Sequence, residues 1–377
     1  MIKIDLVAAA RPNFIKIAPL YKALKAESGT FDVRLVHTGQ HYDANMSEWF
    51  FRDLGLPNPD VNLEVGSGTH AEQTGGVMIA YERLCLHSRP DWCIVVGDVN
   101  STIACTLAAK KLGIPIAHLE AGLRSRDHNM PEEINRIATD ALADLLWTPS
   151  PDGDENLLRE GISPERICRV GNIMIDSLEM MRPSIETRQY RQRLKLPLRG
   201  YGVVTLHRPS NVDVPEQLKI LAGQLLDVAK QTPIVFPVHP RTRQRLAKLG
   251  LLDAIQGFSS IRLLDPLGYV DFMSVVFDCS FVLTDSGGVQ EETTYLGIPC
   301  LTLRENTERP VTVSEGTNRL IRPDSIAENV QKVLNGSWPK GRVPALWDGA
   351  TAQRVVQSLK RANEMCRAKK GGEPHSY

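Results

Sequence analysis

The stretch Phe281-Val-Leu-Thr-Asp-Ser-Gly-Gly-Val-Gln-Glu-Glu-Thr-Thr-Tyr-Leu-Gly-Ile-Pro299 decides the fold class. A short apolar run is followed by a turn and then by a helical pattern that opens on Gly287 and Gly288, which predicts a buried strand leading into a helix. Glycines lack a Cβ atom and let a ligand approach the backbone, and the first N–H groups of a helix are free to bind an anion.

Glu291 and Glu292 follow the two glycines, and we expect both in the first helical turn, where the helix dipole favours carboxylates. One of them would then accept hydrogen bonds from ribose hydroxyls. The stretch therefore predicts a site for a diphosphate that carries a ribose. The alternative is an ordinary strand, turn and helix whose glycines only allow close packing.

The composition is that of a globular protein with two domains. The chain has 377 residues, of which 42% are hydrophobic and 23% charged. Lys+Arg and Asp+Glu both total 44, so no overall charge attracts nucleic acid or an anionic membrane. The seven cysteines are scattered without zinc-type spacing and are typical of reduced thiols. Without a visible signal peptide or an apolar run of about 20 residues, we expect a soluble, cytoplasmic protein with no metal site.

Short apolar runs alternate with helical patterns along the whole chain, which is typical of parallel sheets with crossover helices. This pattern predicts an α/β protein with two Rossmann-like, doubly wound domains, residues 1–182 and residues 200–349. The charged stretch Met181–Gly200 is interpreted as a linker, and a helix at about 350–369 is expected to cross back to the first domain. The predicted strands are Ile2–Ala9, Val33–Thr38, Trp92–Gly97, Ile114–Leu119, Leu145–Thr148, Ile167–Val170, Tyr201–Leu206, Ile234–Val238, Ile261–Leu264, Phe281–Thr284 and Cys300–Leu303.

Two doubly wound domains are expected to face a cleft lined by loops at the carboxyl ends of their strands. Several chemically informative residues lie at or just beyond predicted strand ends. They are Arg11, Asp98, Glu120, His207, His239 and Asp285.

The first domain offers cations and three carboxylates. Its first loop carries Arg11 and Lys16 instead of the Gly-x-Gly-x-x-Gly of dinucleotide-binding domains, so no nicotinamide or flavin cofactor is expected. Asp98, Glu120 and Glu132 are candidates for a general acid and a general base, because crowded carboxylates raise one another's pKa.

Two of these carboxylates, Asp98 and Glu132, also have a structural explanation. Asp98 could cap the helix that follows it. Glu132 and Arg136 are i,i+4 neighbours and could form a solvated ion pair.

In the second domain, the pair His207-Arg208 follows a strand and suits diphosphate binding or proton transfer at a leaving oxygen. The segment His239-Pro-Arg-Thr-Arg243 forms a further basic loop.

Taken in order, these motifs resemble the non-hydrolysing UDP-N-acetylglucosamine 2-epimerase family. The resemblance covers nearly the whole chain. It implies the two-domain fold called GT-B, no nicotinamide, a UDP-sugar substrate and a homodimer. It also implies that a proton leaves C2 of the sugar while UDP leaves C1, giving 2-acetamidoglucal, and that UDP then adds back after protonation of the opposite face. The motifs are Arg11-Pro…Lys16, Gly97-Asp98, Glu120-Ala-Gly-Leu-Arg124, Pro131-Glu-Glu-x-Asn-Arg136, His207-Arg208, Ser286-Gly-Gly-x-Gln-Glu-Glu292 and Thr307-Glu-Arg-Pro310.

The resemblance also assigns roles to residues. Catalytic roles fall to Asp98, Glu120, Glu132 and His207. The residues that resemble the family's UDP-holding groups, together with further candidates for substrate binding, are Arg11, Lys16, Arg136, Arg208, Tyr269, Ser286, Gly287, Gly288, Glu292 and Arg309.

The chain departs from the family pattern at three places. Ala9 replaces the usual glycine before Arg11. Gln40-His41 matches a pair at the allosteric site of regulated members, but the motif at His239 differs from theirs, so activation by substrate stays open. The run Arg124-Ser-Arg126-Asp127 leaves room for a C6-oxidised, acidic sugar. A GT-B glycosyltransferase, a hydrolysing epimerase and a catalytically silent nucleotide-sugar sensor are the alternative functions.

Overall fold

The structure is a computed structural model that describes residues 1–9, 11–39 and 54–371, with side chains for all of these except residues 11, 12 and 366–371. The chain divides into two compact units. The first comprises residues 1–177 and 345–377, and the second comprises residues 178–344.

The first unit contains a seven-stranded parallel sheet with the order β3-β2-β1-β4-β5-β6-β7. Every residue of its central strand Trp92–Val96 is buried, as expected for a parallel sheet covered on both faces. The strands are β1 Ile2–Ala8, β2 Phe31–His37, β3 Val61–Asn62, β4 Trp92–Val96, β5 Ile116–Leu119, β6 Leu145–Thr148 and β7 Ile167–Arg169. The helices are α1 Arg11–Ala26, α2 His70–His87, α3 Asn100–Lys111, α4 Pro131–Leu142 and α5 Pro151–Arg159, with a 3-10 turn at Pro164–Arg166. Helix α6 Ile173–Thr187 begins in the first unit and ends in the second.

The second unit contains a six-stranded parallel sheet with the order β10-β9-β8-β11-β12-β13. Its strands are β8 Gly202–Thr205, β9 Ile234–Pro237, β10 Ile261–Leu264, β11 Phe281–Thr284, β12 Cys300–Thr302 and β13 Asn318–Leu320. Its helices are α7 Tyr190–Arg193, α8 Pro209–Val212, α9 Pro215–Ala229, α10 Pro240–Lys248, α11 Leu252–Gln256, α12 Tyr269–Val276, α13 Gly287–Leu296, α14 Val311–Ser314 and α15 Ile326–Leu334, with a 3-10 turn at Pro323–Ser325.

The last helix, α16 Thr351–Gly371, belongs to the first unit. Its first two N–H groups donate to the buried carboxylate of Asp176, Thr351 to Oδ2 over 3.1 Å and Ala352 to Oδ1 over 2.7 Å. A carboxylate is favourable at this position because it satisfies free N–H groups and interacts well with the helix dipole. Asp176 therefore joins the beginning of α16 to α6, far away in the sequence.

The register of each sheet decides which loops are neighbours. Val96 pairs with Leu119, so the segments that follow β4 and β5 lie side by side. In the second unit, Thr284 pairs with both Thr205 and Thr302, which brings together the segments after β8, β11 and β12.

The predicted α/β class with two doubly wound parallel sheets is confirmed. Two short strands, β3 and β13, were not predicted. The interpretation of Met181–Gly200 as a linker is wrong, because α6 continues through Thr187 and α7 follows it. Pro183 lies inside α6, and its presence in the sequence suggested a break that the helix does not make.

Candidate active site

In the first unit, the segments after β4 and β5 contain two left-handed residues side by side. Gly97 has a φ angle of +70° and Glu120 a φ angle of +72°. The Gly97 N–H donates to the carbonyl of Leu119 over 3.0 Å. A non-glycine residue at positive φ costs of order 1–3 kcal/mol and is found mostly where function requires it. The backbone therefore forces the Glu120 side chain into a defined direction at the end of β5.

The Glu120 carboxylate is only 5% exposed. Its Oε2 atom accepts a short hydrogen bond from the ammonium group of Lys16 on α1. Its Oε1 atom is buried and has no hydrogen-bond partner among the described residues. The structure thus brings Lys16 and Glu120 together, with one carboxylate oxygen held and the other available.

Asp98 lies beside Gly97 and is held by Arg136 of α4. Its Oδ2 atom accepts from Arg136 Nε over 3.0 Å and from Nη2 over 2.7 Å. Asn135, also on α4, donates to the carbonyl of Asp98 over 2.9 Å. The alternative in which Asp98 caps α3 is wrong, because Val99 occupies the cap position without any side-chain hydrogen bond.

The expected ion pair between Glu132 and Arg136 is not formed. Arg136 instead pairs with Glu133 over 2.5 Å, and Glu133 is almost fully buried. Although burial opposes its ionisation, N–H groups of Ser125 and Arg126 and the charge of Arg136 hold the pKa of the Glu133 carboxyl below its usual value. Glu132 is half-buried at the start of α4, and among the described residues it forms no hydrogen bond with Asp98 or Glu120.

A buried hydrogen-bond network, here called the relay, joins Gly97, His118, Asp140 and Arg124. The His118 ring bonds to the Gly97 carbonyl through Nε2 over 2.8 Å and to Asp140 through Nδ1 over 2.6 Å. Asp140 also pairs with Arg124 over 2.8 Å. Burial opposes the charge on Asp140, yet His118 and Arg124 keep the pKa of this carboxyl below its usual value. The relay fixes the Gly97 turn and was not identified from the sequence.

Arg124 is therefore not available to an acidic sugar. Its guanidinium is buried and pairs with both Asp140 and Glu160. Arg126, two residues on, is exposed and donates to Asn156 over 2.9 Å.

In the second unit, His207 and Asp285 form a hydrogen-bonded dyad. The Nδ1 atom of His207 is 2.8 Å from Asp285 Oδ1, and the side chain of His207 is 41% exposed while that of Asp285 is fully buried. Burial disfavours the charge on Asp285, but His207 and the N–H of Arg208 hold the pKa of the carboxyl below its usual value. Asp285 therefore orients the ring of His207 and leaves its Nε2 atom for a ligand. The position of Asp285 at a strand end was noted in the sequence, but this role was not.

A pocket of about 220 Å³ lies beside the dyad. His207 and His239 line it, with ring centroids 5.9 Å apart. Burial and the nearby His207 and Arg241 lower the pKa of His239. The other lining residues are mostly apolar, which suits a flat ring: Thr205, Pro237, Pro266, Leu267, Phe272, Ser286 and Val289.

The two glycines that open α13 differ in their surroundings. A Cβ atom on Gly287 would lie 2.8 Å from Glu308 Oε1 and 2.9 Å from Arg309 Nη1, whereas Gly288 has no heavy atom within 4 Å of that position. Gly287 therefore allows close packing, and Gly288 is the glycine that leaves the backbone open. Ser286 is the cap residue, and its side chain makes no capping bond.

Glu291 and Glu292 lie beyond the first turn of α13, so their expected stabilisation by the helix dipole is wrong. The helix begins at Gly287, which makes them its fifth and sixth residues. Both are buried. Burial, together with the charge of Glu291, raises the pKa of Glu292 to about 8 despite the neighbouring hydroxyl of Tyr269. Tyr269 interacts with Glu292, and burial and this carboxylate raise the pKa of its phenol.

A cluster of arginines and acids adjoins the beginning of α13. Arg309 pairs with Glu291 through Nε over 2.9 Å and with Glu308 through Nη1 over 2.7 Å. Arg304 pairs with the other oxygen of Glu308 over 2.8 Å. Arg208 bonds through Nε to the carbonyl of Asp285 over 2.9 Å. Arg304 and Glu308 were not among the site residues predicted from the sequence, although Glu308 lies in the motif Thr307-Glu-Arg-Pro310.

Three predicted residues cannot be placed. Gln40 and His41 lie outside the described residues, and the side chain of Arg11 is not described. Within the described ranges, no group of three or more His, Cys, Asp or Glu side chains has the arrangement to hold a metal ion. No helix in those ranges combines the length and the apolar character required to cross a membrane.

Comparison with known proteins agrees with this picture. The family model described as "UDP-N-acetylglucosamine 2-epimerase" matches residues 22–360. A UDP-N-acetylglucosamine 2-epimerase of Methanocaldococcus jannaschii is 40% identical over 95% of this chain and 98% of its own. A UDP-2,3-diacetamido-2,3-dideoxy-D-glucuronate 2-epimerase of Pseudomonas aeruginosa is 41% identical over 88% of this chain and 92% of its own.

A solved structure leads to the same family. The crystal structure of the Methanocaldococcus jannaschii UDP-GlcNAc 2-epimerase in complex with UDP-GlcNAc and UDP has a TM-score of 0.83 and 40% identity, covering 96% of this chain and all of that chain. This chain therefore belongs to the UDP-N-acetylglucosamine 2-epimerase family and is an isomerase of the epimerase class.

Proposed function

We propose that this protein interconverts UDP-N-acetylglucosamine and UDP-N-acetylmannosamine. A base removes the C2 proton, the C1–O bond breaks, and UDP leaves with the bonding electron pair to give 2-acetamidoglucal. A proton then adds to the opposite face of C2 while a diphosphate oxygen rejoins C1. The reaction is redox-neutral and needs no co-reactant. The observation that carries the proposal is the shared arrangement of Asp98 and Glu120, each held by a cation through one carboxylate oxygen.

The first unit supplies the acid–base chemistry in this proposal. Lys16 fixes Glu120 and Arg136 fixes Asp98, so each carboxylate keeps one oxygen for a proton. Epimerisation requires proton transfer on both faces of C2, and two positioned carboxylates meet that requirement. Glu132, half-buried on α4 beside Glu133, is proposed as a third acid that contacts the sugar.

The second unit holds the nucleotide in this proposal. The open backbone at Gly288 and the free hydroxyl of Ser286 suit diphosphate oxygens at the start of α13. His207, oriented by Asp285, donates to the leaving oxygen of UDP. The buried pair of Tyr269 and Glu292 is assigned to the ribose hydroxyls.

The direct test is incubation with UDP-N-acetylglucosamine in D₂O, without cofactor or acceptor, followed by NMR of the sugar. We expect deuterium at C2 together with UDP-N-acetylmannosamine. Free UDP and N-acetylmannosamine would instead identify a hydrolysing enzyme. No change at C2 would contradict epimerisation of this sugar.

A C6-oxidised sugar is the second candidate substrate, because the Pseudomonas aeruginosa relative that acts on a diacetamido-glucuronate is as similar to this chain as the archaeal one. A C6 carboxylate would need a cation. Arg124 is engaged elsewhere, but the exposed Arg126 is available. Measuring kcat/KM for both UDP-sugars decides between them. A larger kcat/KM for the acidic sugar that disappears in Arg126→Gln would establish the second candidate.

A further inference from the structure

Arg304 is an arginine with a buried side chain whose hydrogen-bonding capacity is only partly used. It follows β12, and its side chain is only 4% exposed. Its Nη1 atom lies 2.8 Å from Glu308 Oε2, whereas its Nη2 atom is buried and makes no hydrogen bond to any described residue. A guanidinium presents five donors in a planar fork, and leaving buried donors unsatisfied is unfavourable. This arrangement is expected where a ligand completes the set.

The pair of Arg304 and Glu308 lies at the beginning of α13. The other oxygen of Glu308, Oε1, is 2.8 Å from the place where a Cβ atom of Gly287 would be. The Glu308 carboxylate thus occupies space beside the first residue of α13, where the helix dipole attracts an anion. In the free protein it neutralises the cations of this cluster.

The neighbouring arginines are more fully engaged. Arg309 contacts two carboxylates, those of Glu291 and Glu308. Arg208 donates from Nε to the backbone carbonyl of Asp285. Both arginines are close enough to lower the pKa of Arg304, although burial is the larger cause. Arg304 is therefore the arginine of this cluster that contacts one carboxylate oxygen through a single nitrogen, which leaves its Nη2 atom for a further anion.

We propose that Arg304 binds the diphosphate of the nucleotide, with Glu308 as the internal counter-ion that holds the guanidinium in place until the ligand arrives. This inference rests on the proposed function and extends it, since Arg304 was not among the residues predicted from the sequence. Arginine suits this role because its planar fork matches two phosphate oxygens at once. Arg309 is then a positioning residue that fixes Glu308 and Glu291.

The test compares the binding of UDP and of uridine to the full-length protein by ligand-observed NMR. Uridine lacks the diphosphate, so its affinity reports only on the intact nucleoside pocket. In Arg304→Gln we expect the Kd for UDP to rise about 10- to 100-fold, because one or two charge-assisted hydrogen bonds are lost. The Kd for uridine should not change. Arg304→Lys keeps the charge without the fork and should recover part of the affinity.

Two further variants separate binding from folding. Arg304→Gln with Glu308→Gln removes both charges, leaves no unpaired buried carboxylate, and should show the same selective loss of UDP affinity. Arg319→Gln is the matched control. Arg319 is a half-buried arginine of the same unit that donates to the backbone carbonyls of Val313 and Asn318. It should leave both affinities unchanged.

The outcomes discriminate clearly. An unchanged ratio of UDP to uridine affinity in Arg304→Gln and in the double variant would overturn the inference and make the pair purely structural. A wild-type protein that binds UDP but does not exchange C2 of UDP-N-acetylglucosamine would overturn the proposed function. It would leave the assignment of Arg304 standing if the selective loss of UDP affinity is observed.

Discussion

The cluster around Glu120 in the first unit and the cluster around Arg304 in the second unit use their charged residues in opposite ways. In the first unit, carboxylates are held by cations, and the buried atom left over is an acceptor, Oε1 of Glu120. In the second unit, arginines are held by carboxylates, and a donor of Arg304, Nη2, is among the buried atoms left over. A spare acceptor on a fixed acid can move a proton, whereas spare donors on a fixed cation can only bind an anion. The comparison therefore assigns chemistry to the first cluster and binding to the second.

Removing the spare acceptor should have the largest effect. Glu120→Gln keeps the shape of the side chain but removes the base, so kcat should fall about 10³- to 10⁴-fold while UDP affinity stays within a few-fold. Deuterium incorporation at C2 and the Kd for UDP are the measurements. Glu155→Gln, in a solvated pair with Arg159, is the control and should be silent. A large loss of UDP affinity in Glu120→Gln would contradict the assignment of chemistry to the first cluster and of binding to the second.

The dyad of His207 and Asp285 is an exception in the second unit, because we expect His207 to take part in the reaction as well as in binding. His207→Gln keeps a hydrogen-bonding side chain but cannot carry the proton, so we expect kcat to fall about 100-fold. A kcat within a few-fold of the wild-type value in His207→Gln would contradict this role.

The buried acid of the second unit provides a pH test. Glu292 has a pKa of about 8 in the folded protein, against 4.5 for the free side chain. The folded state therefore binds the extra proton between these values, and its stability falls as the pH rises from about 4.5 through about 8. At about 1.4 kcal/mol per pKa unit, the loss between pH 6 and pH 8 is on the order of 2 kcal/mol.

Glu292→Gln is neutral at every pH and should abolish this slope. Urea midpoints at pH 6 and pH 9 for wild type and variant measure the effect. Glu328→Gln, in an exposed pair with Lys332, should keep the wild-type slope. Equal pH dependence in wild type and Glu292→Gln would show that Glu292 is already ionised at neutral pH.

The smallest effect distinguishes the two glycines of the binding cluster. Gly287→Ala places a Cβ atom against Glu308 and Arg309 and should destabilise the protein by about 1–2 kcal/mol. Gly288→Ala meets open space, so the urea midpoint should stay near the wild-type value. The same substitution should nevertheless weaken UDP binding, because the methyl group occupies the approach of the diphosphate. Equal destabilisation by both substitutions would contradict the assignment of close packing to Gly287 and of an open backbone to Gly288.

The sequence predicted those features that depend on local pattern. Apolar runs of four or more residues identified the long strands, and the motif after β11 identified the start of α13. Strands β3 and β13 were missed because they are short and contain polar residues such as Asn62 and Asn318, which pair only because a neighbouring strand is present. The strands lie where the parallel sheet requires them rather than where propensity alone favours them.

The site was less predictable than the fold, because charge pairing depends on contacts that the sequence does not show. Spacing suggested that Arg136 pairs with Glu132, yet its partners are Glu133 at i−3 and the distant Asp98. Likewise, the sequence does not show that the side chains of Arg304 and Glu308 are buried and form an ion pair. Ionisable residues in loops can be assigned as candidates from sequence, but their partners are set by tertiary structure.

The anchoring of α16 on Asp176 has a consequence for synthesis on the ribosome. The second unit is one uninterrupted segment, whereas the first needs residues from both sides of it. The strands of the sheet that carries Glu120 are synthesised first. The helix that Asp176 caps, α16, is synthesised only after the whole second unit. During that interval the apolar side chains of Val355, Val356 and Leu359, which are buried in the complete fold, are not yet in place. We therefore expect a chain that ends before α16 to expose apolar surface and to aggregate more readily than the complete chain.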